Sequence, residues 1–458
     1  MRVLLVPDST YWVTGTIAKS IARFNPWVDA TIASWPVINE VFAEQPELMH
    51  NFDLVHFVCP YASRAWLPRF RELIPCVTSH HHVTDWEIVK HNLEGDAIVV
   101  GSEEWADDLH KRGAQMDRVF CVPYGVDAEQ FRPATVEQRA AIRKKLGISN
   151  DATVVGFFAK KSSNDDDRKG TDIFIKALTE LRSLVPKLTA LIIGPGWDEM
   201  VRAFRAAGIR CLWFPFIRDN QGLAQMYSAL DFYWVTARVE GGPVTLLEAM
   251  SSEVCCLTTP VGLARDLVSD GDNAILLPFN DTDGFVQRTA ALAGDSSERQ
   301  RLGRRARQTI LQHMHVGVTT QRVKDVYARA MEIFANRQQC AVPVDVRQLA
   351  AHAPQHSPVE AAKRIPLHGF PSALHRYIEM LETLAWSEHL VLYQRQRAVA
   401  FKLIMREWLS HPFSAQPGRV LLRRFLPDSL VAGIVKIKNG SRADTLAATP
   451  QRPSDENV

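Results

Sequence analysis

From Arg2 onward, short β-branched runs alternate with stretches whose apolar residues recur every three or four positions, and this alternation is laid down twice along the chain. Such a chain folds as parallel α/β units, because a parallel strand pair needs a crossover long enough to hold a helix. The first series predicts strands at Arg2–Pro7, Asp29–Ser34, Asp53–Val58, Cys76–Ser79, Ala97–Ser102 and Val119–Pro123. Helical patterns fall between them around Ile17–Arg23, Ser63–Leu73 and Glu103–Arg112, the last with Ser102 as its N-cap. The alternation stops after Pro123 and resumes at Thr153–Phe158. It continues with strands at Thr189–Ile193, Cys211–Pro215, Phe232–Val235, Cys255–Thr259 and Ala274–Pro278. The organisation expected is a first Rossmann-like domain at 1–130, a linker at 131–150, a second Rossmann-like domain at 151–335, a Pro- and His-rich linker at 336–371 and a helical basic tail at 372–458. Two such domains face each other across a cleft, with ligands at the carboxyl ends of their strands.

Composition narrows the function. Lys and Arg number 53 against 51 Asp and Glu over 458 residues, a balance that excludes a dedicated nucleic-acid binder. Seven cysteines, odd in number and without a CxxC pair, are expected as free thiols, mostly buried. The opening MetArgValLeuLeuValProAspSer is too brief an apolar run for a signal peptide, and no window reaches the roughly 18 apolar residues of a membrane span, so a soluble, cytoplasmic body is expected. The charge is unevenly divided. Residues 341–458 hold 15 basic and 10 acidic residues, leaving 38 against 41 for the rest. Between Arg395 and Arg442, ten cations interleaved with apolar residues face only Glu407 and Asp428, a pattern that suits peripheral contact with an anionic membrane, or a helical cap with its basic face in water.

The stretch richest in chemistry is Glu240-Gly241-Gly242-Pro243-Val244-Thr245-Leu246-Leu247-Glu248, which follows a strand and opens a helix. Pro243 suits the first helical position, and the glycines allow a ligand close to the backbone. The N–H groups of Val244 and Thr245, with the helix dipole behind them, suit a pyrophosphate. Glu240 stands just before that site, while Glu248, a turn and a half along, is expected to face outward to hydroxyls beside it. Alone, the two carboxylates would read as a loop residue and a solvated helix face; the strand, glycine and helix setting favours a phosphorylated sugar.

On these residues the chain resembles the family 4 (group 1) retaining glycosyltransferases of the GT-B fold, whose E-x7-E signature reads Glu240 to Glu248. Three further segments match in order. Pro123-Tyr124-Gly125-Val126-Asp127 with Phe131 and Pro133 resembles the PNGVD segment between the domains, with Tyr for Asn. Arg168-Lys169-Gly170 resembles the KG element whose lysine binds donor phosphates, and Ile193-Gly194-Pro195-Gly196 the family's VGdG turn. The resemblance covers residues 1 to about 335. It implies transfer of a sugar from a nucleotide diphosphate donor to a glycan, lipid-linked or small-molecule acceptor hydroxyl, with retention of configuration and no cofactor or metal. Glu240 would meet the donor sugar, Glu248 the ribose, and Lys169 the phosphates. His81, counted from Pro75, would contact the donor sugar, with His80 or His82 reached by a one-residue slip and Asp85 to orient it. Ile217 and Arg218 lie near the base, and Gly15-Thr16 on the acceptor side.

The chain also departs from the family. The family's arginine directly follows the glycine of the second domain's first strand, yet here Gly156 is followed by Phe157, so Lys160, Lys161 or Arg168 must supply that charge, with Lys161 and Arg168 the candidates. Asp165-Asp166-Asp167 contains a DxD pattern but sits in a polar insertion, which reads as a solvated loop. His80-His81-His82 cannot converge on one metal from an extended run. A noncatalytic assembly protein, or a nucleotide-sugar epimerase on the same architecture, is the alternative.

Overall fold

The computed structural model describes residues 1–43, 45–81, 86–161, 166–217, 220–340 and 371–392. Met1–Ser372 form one unit and Ala373–Val458 a second. In the first unit, strands β1 (Arg2–Val6), β2 (Asp29–Ile32), β3 (Leu54–Phe57), β4 (Cys76–His80), β5 (Ala97–Val100) and β6 (Val119–Cys121) make a parallel sheet in the order β2-β1-β3-β4-β5-β6. A second parallel sheet, β12-β11-β10-β7-β8-β9, is built from β7 (Thr153–Phe158), β8 (Leu188–Ile193), β9 (Arg210–Phe214), β10 (Phe232–Val235), β11 (Cys255–Thr258) and β12 (Ile275–Leu276). Its strand order reverses between β7 and β10, and a crevice opens at the carboxyl ends of strands where such a reversal occurs. Every residue of β3, β4, β5, β8, β10 and β11 is buried, as in sheets covered by helices on both faces.

Two segments leave the places the sequence gives them. Within the expected 131–150 linker, Val136–Lys145 is a helix, started by a capping box between Thr135 and Gln138. It is fastened to the second domain: Arg143 Nη2 and Arg139 Nη2 each reach an oxygen of Asp231 at 2.7 Å. At the other end, the helix Val323–Cys340 returns to the first domain, where Val323, Val326, Tyr327 and Ala330 join the core around Val3, Leu5, Val77 and Val99. Tyr327 Oη lies 3.0 Å from Nδ1 of His56, whose burial drives its pKa down to about 3. The expected boundary at 335 thus falls inside a helix of the first domain. The outgoing and returning chains meet as a parallel bridge between Val126 and His315.

The helix Trp35–Phe42 was not expected from the sequence, being eight residues long with Pro36 in its first turn. Cys59, Cys76, Cys211, Cys255 and Cys256 are buried free thiols and Cys121 is half-buried. Described by itself, the second unit begins in the helix Pro371–Leu392, where Leu374, Ile378, Leu381 and Leu384 are buried at helical spacing. The basic stretch 395–442 lies outside the described residues. No described helix is long and apolar enough to cross a membrane.

Candidate active site

The short helix Asp166–Lys169 ends at Gly170, which has a left-handed backbone (φ 61°) and lies so near the loop after β10 that a Cβ would sit 1.9 Å from Thr236 O. Only glycine fits there. Thr236 Oγ1 donates to Gly170 O at 2.7 Å, and the Arg238 N–H to Arg168 O at 2.7 Å, so the two segments run side by side. That lacing brings Lys169 Nζ onto Oε1 of Glu240, while Arg168 Nη1 stands 3.5 Å from Oε2. Glu240 itself is only 9% exposed.

The helix after Glu240 runs Val244–Ser251 with Pro243 as its N-cap, so it begins one residue later than the sequence suggests. Val244 and Thr245 are therefore its first two residues, whose N–H groups have no partner within the helix. Both glycines before it are demanded by close approach: a Cβ on Gly241 would lie 2.3 Å from His81 O, and one on Gly242 2.9 Å from the Tyr124 ring. Glu248 does not face outward. Leu246 to Ser251 are all buried, leaving that helix no solvated side there, and Glu248 Oε2 instead accepts a 2.7 Å hydrogen bond from Tyr227 Oη. Burial pushes the Glu248 carboxyl up to about 7, against the lowering effect of the Tyr227 hydroxyl.

The structure also revises the reading of Phe157. It lies inside β7, buried and stacked on Phe174 with centroids 4.2 Å apart, and so is a core position that never reaches the cleft. The strand ends at Phe158, which puts Ala159, Lys160 and Lys161 at its carboxyl end, beside the point where the strand order reverses. Gly194 and Gly196 shape this turn: Cβ atoms there would lie 2.3 Å from Ala159 O and 1.9 Å from Lys161 O. The Lys161 N–H donates to Pro195 O at 2.9 Å. Ile217 is half-buried against the second-domain core.

On the first-domain side, His81 is buried with both ring nitrogens engaged. Nε2 lies 2.8 Å from Val58 O, which only accepts, so Nε2 carries the proton and Nδ1 accepts from Tyr124 Oη. His80 is enclosed, its ring edge-on to Trp86 and Trp105. Gly15 lies under the turn after β1, where a Cβ would be 2.3 Å from Ser9 O, and Thr16 Oγ1 donates to Trp12 O at 3.3 Å. His82, Asp85, Asp165 and Arg218 lie outside the described residues, as do the side chains of Asp166 and Asp167. Among the described residues, no group of three His, Cys, Asp or Glu could hold a metal.

The structure thus gathers Glu240, Lys169, Arg168 and the Val244 helix at the carboxyl ends of β7 and β10. It keeps Glu248 behind them with Tyr227 and Gly15-Thr16 in the opposite domain. Sequence reasoning missed Tyr124, whose substitution for Asn was the one visible sign, and Trp105, which carried no local sign.

Two facing parallel sheets, with cations and a helix N-terminus at the second sheet's switch point, define a GT-B glycosyltransferase fold. Residues 138–309 match the family described as "Glycosyl transferases group 1". A D-inositol 3-phosphate glycosyltransferase of Xylanimonas cellulosilytica is 30% identical over 222 residues, 46% of this chain and 52% of that protein. A protein of the same description from Nocardia farcinica is 27% identical over 303 residues, 59% and 65% of the two chains. The chain therefore spans about half to two thirds of the length of these curated relatives. Among solved structures, Anabaena HepE in complex with UDP and glucose superposes with a TM-score of 0.61 at 17% identity, over 72% of this chain and 99% of that one.

Proposed function

We propose that the chain transfers a sugar from a nucleotide diphosphate donor to an acceptor hydroxyl, on a glycan or a lipid-linked glycan, with retention of configuration. The observation that carries this reading is the pairing of Glu240 with Lys169 and Arg168 beside the N-terminus of the Val244–Ser251 helix. The donor diphosphate takes the lysine, the helix N–H groups and a cation from the Lys160-Lys161 turn, and Glu240 turns to the sugar hydroxyls near the reacting carbon. As the bond to the phosphate breaks, charge grows on the leaving group, and fixed donors aimed at it supply the largest part of the acceleration. The acceptor hydroxyl attacks from the face the nucleotide leaves and passes its proton to the departing phosphate oxygen. UDP and glucose in the Anabaena structure support a nucleotide-sugar donor. The noncatalytic alternative loses its main support, since Phe157 is a core residue and lysines stand at the end of β7.

The test is Glu240→Ala, assayed with a panel of UDP- and GDP-sugars and glycan acceptors, with the product's anomeric configuration read by NMR. The expected result is an intact fold with transfer lost, and a wild-type product that keeps the donor's configuration. Full activity in the variant removes Glu240 from the reaction.

A further inference from the structure

The helix Glu103–Lys111 follows β5 in the first domain, yet its first turn bonds to the second. Ser102 occupies the N-cap position, but its side chain makes no capping hydrogen bond. The Glu103 N–H instead donates to Oδ2 of Asp266 at 3.0 Å, across the domain boundary. Glu104 Oε2 accepts from the Gly262 N–H at 2.7 Å. Trp105, 8% exposed, donates through Nε1 to the main-chain oxygen of Glu240 at 2.9 Å. These bonds converge on one place, because Gly262, with φ 49°, is itself packed where a Cβ would lie 2.5 Å from that same Glu240 oxygen. One helical turn of the first domain therefore grips both the peptide that carries Glu240 and the loop lying on it.

We propose that this turn is an interdomain latch that sets the position of Glu240, with Trp105 and Glu104 as positioning residues. The idea rests on the reading of Glu240 given above and adds what makes that residue competent. Trp105 holds the main-chain end of Glu240, while Lys169 and Arg168 hold its carboxylate. When the domains part, the three interdomain bonds break together, while the contacts of Glu240 with Lys169 and Arg168 lie within the second domain. When they meet, the loop is fixed before the sugar is activated. The donor site is complete only with the cleft closed, which keeps a bound donor from being hydrolysed by water while no acceptor is enclosed. Diphosphate binding uses second-domain groups and does not need the latch.

The test is Trp105→Phe, which keeps the ring packing and removes the N–H, with Glu104→Ala as an independent variant; both are made in the full chain. Amide hydrogen exchange without substrate is expected to rise about tenfold at residues 239–243 in either variant, with β7 and β8 unchanged. With the donor that supports turnover in the wild type, kcat is expected to fall about tenfold while the donor KM and the affinity for UDP or GDP stay within about twofold. Wild-type exchange at 239–243 with wild-type kcat overturns the latch. So does faster exchange spread equally over β7 and β8, which would make Trp105 a packing residue only. Glu240→Gln separates this proposal from the functional reading: retained turnover there strikes that reading, and exchange at 239–243 then decides the latch alone.

Discussion

Lys169 is ion-paired with Glu240, a carboxylate 71 residues further along the chain, with Arg168 on the second oxygen. The ammonium and the carboxylate therefore balance each other's charge at the carboxyl end of the second sheet. On the function proposed above, an arriving diphosphate would take over the ammonium and free Glu240 for the sugar hydroxyls.

This exchange makes the lysine's contribution measurable. Replacing it by Lys169→Met removes a charge-assisted bond to phosphate, of about 1.5–3 kcal/mol. Calorimetric titration with UDP and GDP is expected to show about 10- to 100-fold weaker binding of whichever nucleotide the wild type prefers.

Glu248 gives a pH dependence whose sign follows from burial. Its carboxyl is raised from 4.5 to about 7 in the folded chain, so between those values the folded state holds a proton that the unfolded state has released. Stability therefore falls as pH rises from about 4.5 to 7, and the full cost is present above 7. Glu248→Gln is expected to flatten this slope, by on the order of 2 kcal/mol between pH 5 and pH 8, in urea unfolding at the two values.

Gly170 and Gly113 form a matched pair for backbone strain. Both have positive φ, 61° and 86°, but a Cβ at Gly170 would strike Thr236 O whereas one at Gly113 meets nothing within 4 Å. Gly113→Ala is expected to cost about 1 kcal/mol from backbone conformation alone. Gly170→Ala should cost about 3 kcal/mol or more in the unfolding free energy, and weaken nucleotide binding by shifting Lys169.

Much of this architecture is legible in the residues, and the exceptions share a cause. Thr153–Phe158 and Phe232–Val235 end where the sequence puts them, because a fully buried parallel strand is a continuous apolar run bounded by polar turns. The Val323–Cys340 helix is different: an apolar stripe says that a helix is buried, not which of two cores receives it. Counting from Gly156 puts Phe157 at the phosphates, but a cleft residue is set by its distance from the strand's end, and β7 runs on to Phe158. Glu248 was expected outside because helical spacing cannot tell that neighbouring elements cover every side of a helix. The Glu240, Lys169 and Gly170 motif was visible because glycines and a carboxylate at a strand-to-helix turn carry their chemistry locally. Trp105 was not, since its bond to Glu240 spans 135 residues.

Tyr124 joins the halves of the molecule through His81. Its hydroxyl is buried and its pKa stands well above the ordinary value, chiefly from burial and then from the charge of Glu240, so it remains a donor to Nδ1 at any working pH. Tyr124→Phe removes that donor and is expected to lower stability by about 1–3 kcal/mol, with the His81 ring nitrogens shifting in nitrogen-15 NMR.

On the proposed function, the crevice at the carboxyl ends of β7 and β10 binds a nucleotide diphosphate sugar. Thermal unfolding of the full chain with a panel of UDP-, GDP-, ADP- and dTDP-sugars at millimolar concentration tests it most directly, because ligand bound to the native state raises the midpoint by mass action. At least one donor is expected to raise the midpoint by several degrees, with the shift abolished in Lys169→Met. No shift with any of them, or an equal shift in the variant, would contradict the account.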